Sequence, residues 1–426
     1  MRVGLSGAHR CPAVHSKPPS SPRDKDSCLV STPLAQPKIF VWFLAAAGLF
    51  FARALLFSTW LSRAPEVQQS LSLNTAQMGL LVMLFPLGGL AGILFANALM
   101  DRFGSRKVGV GIFTLGAVSI GTLGFSLDQG VLAISAIAIF GMGLPMAIAD
   151  FLGNFEGTAV DRVSKKSLFP AIHAAFGIGM LLAAGGASLA IDAGWSLSAN
   201  YLLVAAIVGL IAVASSLKLP NREKPAARPK GEERKLSLAV WKEKRTLLIG
   251  VIGFSFIMAE ISAGTWVPIA LTSSGFSGSA AAIAFGVFWI VITIGRVGGG
   301  FLVEAIGRYP TILLSTLVTA SGILVFMLVD FIALPFLGLV LWGLGMSLGF
   351  PLSVAAMSDD PEKAPFRINM IITVVYISSI TVGPALGSVG ELAGIYVAFG
   401  IPLALMVISA ILSPVTKPLP KEEFSS

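Results

Sequence analysis

Five ionisable side chains interrupt stretches of this sequence that are otherwise apolar: Arg53, Asp150, His173, Glu260 and Arg296. Burying such a group in lipid costs ~2.5–3.5 kcal/mol even on a lenient insertion scale, so each is a functional candidate by default. A carboxyl far from water has its charged form penalised, so it can be neutral in one conformation and ionised in another, as proton movement requires. Histidine beside a carboxylate suits a proton relay. Arginine keeps its charge and suits anion or hydroxyl recognition, or holding an acid ionised. Glu260 and Arg53 each stand 14 residues into their apolar stretches, counted from Thr246 and Ile39. At ~1.5 Å per residue both reach ~21 Å, and they are expected to face one another, as a static latch or as substrate and coupling groups. Asp150 and His173 are expected at one depth on neighbouring helices, as a relay or as a hydrogen-bonded structural pair, with Asn154 serving either. Arg296 lies two turns before Glu304 on the same helix face, and a structural ion pair within the second half is its expected role. Asn369, Tyr376, Trp60 and Trp266 offer hydrogen-bonding or stacking surface. Both tryptophans lie near the end of an apolar stretch, which also favours an interfacial anchor.

These residues need elements that hold them in lipid. Charged residues form 12% of the chain and apolar residues 55%, against roughly 25% charged in soluble domains. Twelve stretches, from Ile39–Leu61 to Ile395–Ser413, are long enough to cross ~30 Å of hydrocarbon as helices. None alternates with period two over ten residues, which argues against a barrel. The predicted fold is all-α and membrane-embedded, with a six-helix bundle over Ile39–Leu217 and a second over Thr246–Ser413. A basic linker, Lys218–Arg245, joins them, and polar tails precede Ile39 and follow Ser413. The first tail, Met1–Lys38, is rich in proline, lacks the apolar core of a signal peptide and reads as disordered. With both termini on one side, that side holds 27 of the 30 lysines and arginines, and positive charge marks the cytoplasm. The net charge of +8 therefore belongs to a membrane face rather than to nucleic-acid binding.

The two bundles repeat one another. Asp101-Arg102-Phe103-Gly104-Ser105-Arg106-Lys107 joins the second and third spans, and Glu304-Ala305-Ile306-Gly307-Arg308 joins the eighth and ninth. Ser58-Thr59-Trp60 is echoed by Gly264-Thr265-Trp266, and Gly143-Leu144-Pro145 by Gly349-Phe350-Pro351. Glycines four apart, as at Gly88/Gly92, Gly295/Gly299, Gly345/Gly349 and Gly383/Gly387, permit close helix contact where lipid supplies no hydrophobic drive.

The duplicated loop resembles the signature of the major facilitator superfamily, roughly Gly-x-x-x-Asp-Arg-x-Gly-x-Arg/Lys-Arg/Lys. Asp101, Arg102, Gly104, Arg106 and Lys107 match it, with Asn97 in place of the first glycine; Gly300, Glu304, Gly307 and Arg308 match the second copy. Asp150-x-x-x-Asn154, Asp161-Arg162, His173-Ala-Ala-Phe and Ala259-Glu260 ahead of Trp266 are similar to a largely uncharacterised bacterial subgroup distantly like sugar porters. Ile137, where drug exporters keep an arginine, departs from the exporter pattern. The resemblance implies a secondary transporter working by alternating access, and a gating role for Asp101 and Glu304. Either acid would meet a helix N-terminus of the other half, a contact of ~0.3–1 kcal/mol when exposed.

The expected activity is proton-coupled movement of a small solute by a monomer in the inner membrane. Drug or metabolite export by proton antiport, and solute sensing without transport, are the alternatives. An enzyme would need a convergent nucleophile–base or metal set. Two of the three histidines, His9 and His15, fall in the N-terminal tail, and Cys11 and Cys28 lack metal-ligand spacing. No Gly-x-x-x-x-Gly-Lys-Ser/Thr loop occurs, and no cofactor is expected.

Overall fold

The computed structural model describes residues 39–164, 168–220, 239–328, 334–360 and 362–419. The expected disorder of the N-terminal tail and most of the basic linker lie outside these residues. The first half comprises α1 (Ile39–Ser62), a short α2 (Ala64–Ser70), α3 (Thr75–Asp128), α4 (Leu132–Val163), α5 (Phe169–Asp192) and α6 (Leu197–Lys218). The second comprises α7 (Lys244–Ser273), α8 (Gly278–Ile306), α9 (Arg308–Met327), α10 (Leu334–Met357), α11 (Ala364–Ala393), α12 (Ile395–Ala398) and α13 (Gly400–Leu412). Among the described residues eleven helical segments are long and apolar enough to cross a bilayer. One of them, α3, has 54 residues and supplies two crossings, which makes twelve. Helices suit the setting because all their backbone hydrogen bonds stay within the segment.

The loop expected at Asp101–Lys107 is almost absent. Helix continues to either side of Gly104, which alone turns the chain at φ 75° and ψ 162°. Gly307 does the same between α8 and α9 at φ 83° and ψ 170°. A Cβ on either glycine would meet nothing within 4 Å, so it is the left-handed backbone, not crowding, that calls for glycine. The sequence repeat is therefore a repeat of one backbone conformation. Helix α4 also outruns its expected span: it extends to Val163, so Glu156, expected in a loop, is helical and fully buried. The expected C-terminal tail begins with a short 3-10 turn, Ser413–Thr416.

We call the end of the molecule carrying Gly104 and Gly307 the basic face, and the other end the Arg63 face. The halves meet along two seams, α3 with α11 and α5 with α8. In the first seam the backbones touch near the Arg63 face. A Cβ on Gly79 would collide with the Gly383 carbonyl, and one on Gly387 would stand 2.9 Å from the Thr75 carbonyl oxygen. Helix α3 starts there with a capping box, the Asn74 side chain accepting from the Gln77 backbone and Gln77 returning the bond. Its next free amide, Thr75 N–H, donates to Glu391 Oε2 of the other half at 2.8 Å. Among the described residues this is the one hydrogen bond joining the halves, and it lies at the sealed end. A shallow open groove of about 850 Å³, bordered by Gln68, Gln69, Thr272 and Tyr396, overlies it.

Candidate functional site

Arg53 and Glu260 do not face one another, contrary to the sequence expectation. Arg53 Nη1 lies 2.7 Å from Asp150 Oδ1, joining α1 to α4. Glu260 instead takes Arg296 Nη2 at 3.2 and 3.4 Å on its two oxygens, joining α7 to α8. The reason is register. Arg53 precedes Trp60 by seven residues, while Glu260 precedes the equivalent Trp266 by six. One residue turns a helix by ~100°, so equal depth does not give equal direction. Arg296 makes its ion pair within the second half, with Glu260 rather than with the exposed Glu304. Asp150 is also deeper than expected, because α4 runs 13 residues beyond it, or ~20 Å toward the basic face.

Two aromatic rings hold Arg53 in place, Phe176 with its centroid 4.8 Å from the guanidinium carbon and Phe50 at 6.0 Å. Its Nε is buried without a partner. His173 does not pair with Asp150. Its Nδ1 lies 3.2 Å from the Phe169 carbonyl, and its ring rests on Phe50 and Phe169 at 4.6 and 4.3 Å. It shares the Phe50 ring with Arg53 and so lies beside the first ion pair. Tyr376 of α11 reaches the first half, its ring 3.7 Å from where a Cβ on Gly89 would stand. Asn154 is spent on its own helix, donating to the Asp150 carbonyl at 2.8 Å. Asn369 is exposed, with its carbonyl accepting from Thr373 Oγ1.

These groups come from both halves at mid-span, yet the Asp150 side chain keeps 47% of its surface and that of Arg296 39%. Toward the Arg63 face the halves are joined by the α3–α11 seam and by aromatic rings. Trp289 of α8 meets Phe57 and Phe176 of the first half edge-on at 6.0 and 6.1 Å, and Phe57 and Trp60 lie against Phe85. Trp60 and Trp266 are 1% and 0% exposed, so neither is an interfacial anchor. Helices α1 and α7 are central in their halves and offer no outer surface there. Sequence reasoning missed Trp289, an aromatic in an apolar run whose counterpart in the first repeat is Pro86. Glu391 was missed too; its role depends on α3 beginning beside it.

At the basic face the repeated loops bind within their own halves. Arg106 Nε donates to the Leu219 carbonyl at the end of α6, and Arg308 Nε donates to the Thr416 carbonyl beyond α13 at 2.7 Å. Ser105 and Trp42 donate to the buried Glu156 at 2.6 and 2.9 Å. At the equivalent place Arg308 grips both oxygens of Asp359, with Arg245 adding a third bond at 2.7 Å. Burial opposes the Asp359 charge, but the hydrogen bonds and charges of Arg308 and Arg245 outweigh it and hold this carboxyl below its ordinary range. Glu243 is held low in the same way, its burial overcome by Arg367, Thr246 and Lys363. Asp101, Arg102 and Glu304 are exposed. Arg102 lies 5.4 Å from the Phe103 ring, and neither acid bonds the opposite half among the described residues.

Residues 42–380 match the sequence profile of the Major Facilitator Superfamily. The chain belongs to that family. An uncharacterised transporter of this superfamily from Yersinia pestis is 29% identical over 372 residues, 86% of this chain and 94% of the relative. Among solved structures, the nucleoside transporter NupG superposes with a TM-score of 0.72 at 17% identity, over 89% of this chain and 100% of its own. A bacterial homologue of the lysosomal transporter Spinster, inward-facing and unoccupied, gives 0.70 at 15% identity over 90% and 98%. At these identities the likeness is one of fold. This major facilitator is thus a multi-pass membrane transporter that carries a small solute, and it is not an enzyme. Its twelve spans and two related halves are those of the superfamily.

Proposed function

We propose that this transporter is a proton-coupled carrier working by alternating access around the space between Arg53–Asp150 and Arg296–Glu260. The observation that carries the reading is the placement of one ion pair in each half, with His173 beside the first. Among the described residues the basic face carries twelve lysines and arginines and the other end only Arg63, so the basic face is cytoplasmic by the positive-inside rule. Both termini are then inside, and the Glu391-sealed arrangement is open to the cytoplasm. Every group invoked comes from one chain, which makes the monomer a sufficient unit.

Glu260 carries the proton. Its bonds to Arg296 are long, and a solute that recruits Arg296 leaves a carboxylate at 12% exposure without its cation. A buried unpaired charge is costly, so solute binding is linked to proton uptake. His173 passes the proton between the basic-face opening and the site. Asp101 and Glu304 close the basic face in the other state by meeting helix N-termini of the opposite half. The domain limits follow the same logic: bundles over Ile39–Leu217 and Thr246–Ser413 rock as units on either side of the linker.

Uptake into proteoliposomes under an imposed pH gradient, across a metabolite panel, tests the coupling. The expected result is accumulation that follows the gradient, its sign separating symport from antiport. Glu260→Gln is expected to keep solute exchange and lose gradient-driven accumulation. Wild-type accumulation indifferent to the gradient overturns the coupling, and the absence of any flux favours a sensor.

A further inference from the structure

The two ion pairs expose opposite partners. In the first half the acid is the more exposed partner, Asp150 at 47% against 22% for Arg53. In the second half it is the base, Arg296 at 39% against 12% for Glu260. One wall of the site therefore presents a carboxylate and the other a guanidinium, each backed by a more buried counter-ion. We infer that the solute is a zwitterion, its ammonium taken by Asp150 and its carboxylate by Arg296. The inference rests on the transport reading above and names the substrate class for that same site.

The free atoms agree. Asp150 uses Oδ1 for Arg53, and among the described residues Oδ2 accepts no hydrogen bond. Arg53 is wedged between Phe176 and Phe50, so it fixes the direction of Asp150 instead of leaving to bind solute. Arg296 spends only Nη2 on Glu260. Its Nε and Nη1 have no hydrogen-bond partner among the described residues, and once Glu260 lets Nη2 go, either of them forms with Nη2 an edge that matches a carboxylate bidentately. Glu260 can release Arg296 because a proton replaces the lost cation.

Charge balance points the same way. Two arginines and two acids leave the empty site neutral, and a zwitterion adds no net charge, so the one charge entering with it is the proton that Glu260 takes. A plain amine would leave the free donors of Arg296 unused, and a plain acid would leave the free oxygen of Asp150 unused. A site built for a polar group rejects the analogue lacking it far more strongly than it rejects a missing methylene. Because the two walls belong to different halves, a bridging zwitterion also pulls the halves together on the open side. The ring of Trp289, packed on Phe57 and Phe176, limits the length of solute on the Arg63 side and favours a small one.

The test is binding by thermal shift in detergent and uptake into proteoliposomes, with the twenty standard amino acids and glycine betaine as probes. For each hit, the decarboxylated amine and the deaminated acid are measured beside it, together with a panel of neutral sugars and nucleosides. We expect one or more zwitterions to bind, with both singly charged analogues at least tenfold weaker. Asp150→Asn should narrow the gap to the acid analogue while keeping the gap to the amine. Arg296→Gln should do the reverse. The wild-type analogue series decides the matter even where a variant misfolds. Binding of a sugar or nucleoside with no zwitterion, equal affinity for a zwitterion and one analogue, or no binding by any zwitterion overturns the substrate class. Proton coupling fails separately: a zwitterion accumulated without regard to the pH gradient removes the role of Glu260 and leaves the class standing.

Discussion

The two ends of the interface between the halves are closed by different physics. At the Arg63 face, α3 and α11 touch backbone to backbone through Gly79 and Gly383, with one carboxylate, Glu391, on the first amide of α3. At the basic face the charged groups are many, but among the described residues they bond within their own half. The first crossing of α3 runs antiparallel to α11, so the acid near the end of α11, Glu391, meets the start of α3. Asp101, near the end of that crossing, is exposed. Close packing gives no hydrophobic gain in lipid and depends on shape, whereas an acid at a helix N-terminus is a modest, salt-sensitive bias. A carrier of this design holds its sealed end by fit and trims the balance between states by charge.

The largest effect is expected from spoiling the fit. Gly383→Leu places a side chain against the Gly79 carbonyl, and overpacking of this kind costs ~1–3 kcal/mol or more. That is comparable to the few kcal/mol separating two conformations. Spin-label distances across the Arg63 face should lengthen, and transport should fall by an order of magnitude or more. Unchanged distances would mean that the glycine contact does not hold the end shut.

Next comes the tie within the second half. Asp359 has its pKa lowered on folding, so its contribution is complete above the ordinary aspartate value of 3.8 and is lost as pH falls through the lower folded value. Thermal stability should therefore drop in acid below about pH 4. Asp359→Asn should lower stability at neutral pH and flatten that acid limb. A smaller change is expected from Asp101→Ala, which should reduce turnover several-fold with little loss of solute affinity, since Asp101 touches no solute group. A change in affinity alone would remove it from gating. The smallest is Glu391→Gln: losing ~0.3–1 kcal/mol at a helix start shifts the two states by about twofold to fivefold. The shift, read from the same spin-label pair, should favour the open Arg63 face and shrink as salt is raised.

The spans and the repeat were legible because membrane length and loop chemistry are written in consecutive residues. The ion pairs were not, because pairing depends on rotation about a helix axis, where the single-residue offset between Arg53 and Glu260 decides the partner. Gly383 and Gly387 stood out by spacing, but Gly79, which meets them, has no glycine four residues away and carried no signal. Helix length misled twice: α4 continues past its apolar run, which moved Asp150 inward and turned Glu156 into a buried residue. His173 falls on the expected helix, but its first neighbour is a backbone carbonyl.

The guanidinium of Arg106 on the Leu219 carbonyl, and that of Arg308 on the Thr416 carbonyl, fasten the third crossing of each half to the tail of its sixth. A ring of rods pinned at that point resists splaying, so elastic compliance is left to the lines where the two rings meet. The molecule can then act as a pair of stiff shells on a soft hinge, and a tug on a solute a few ångströms wide becomes a swing of the entire shell.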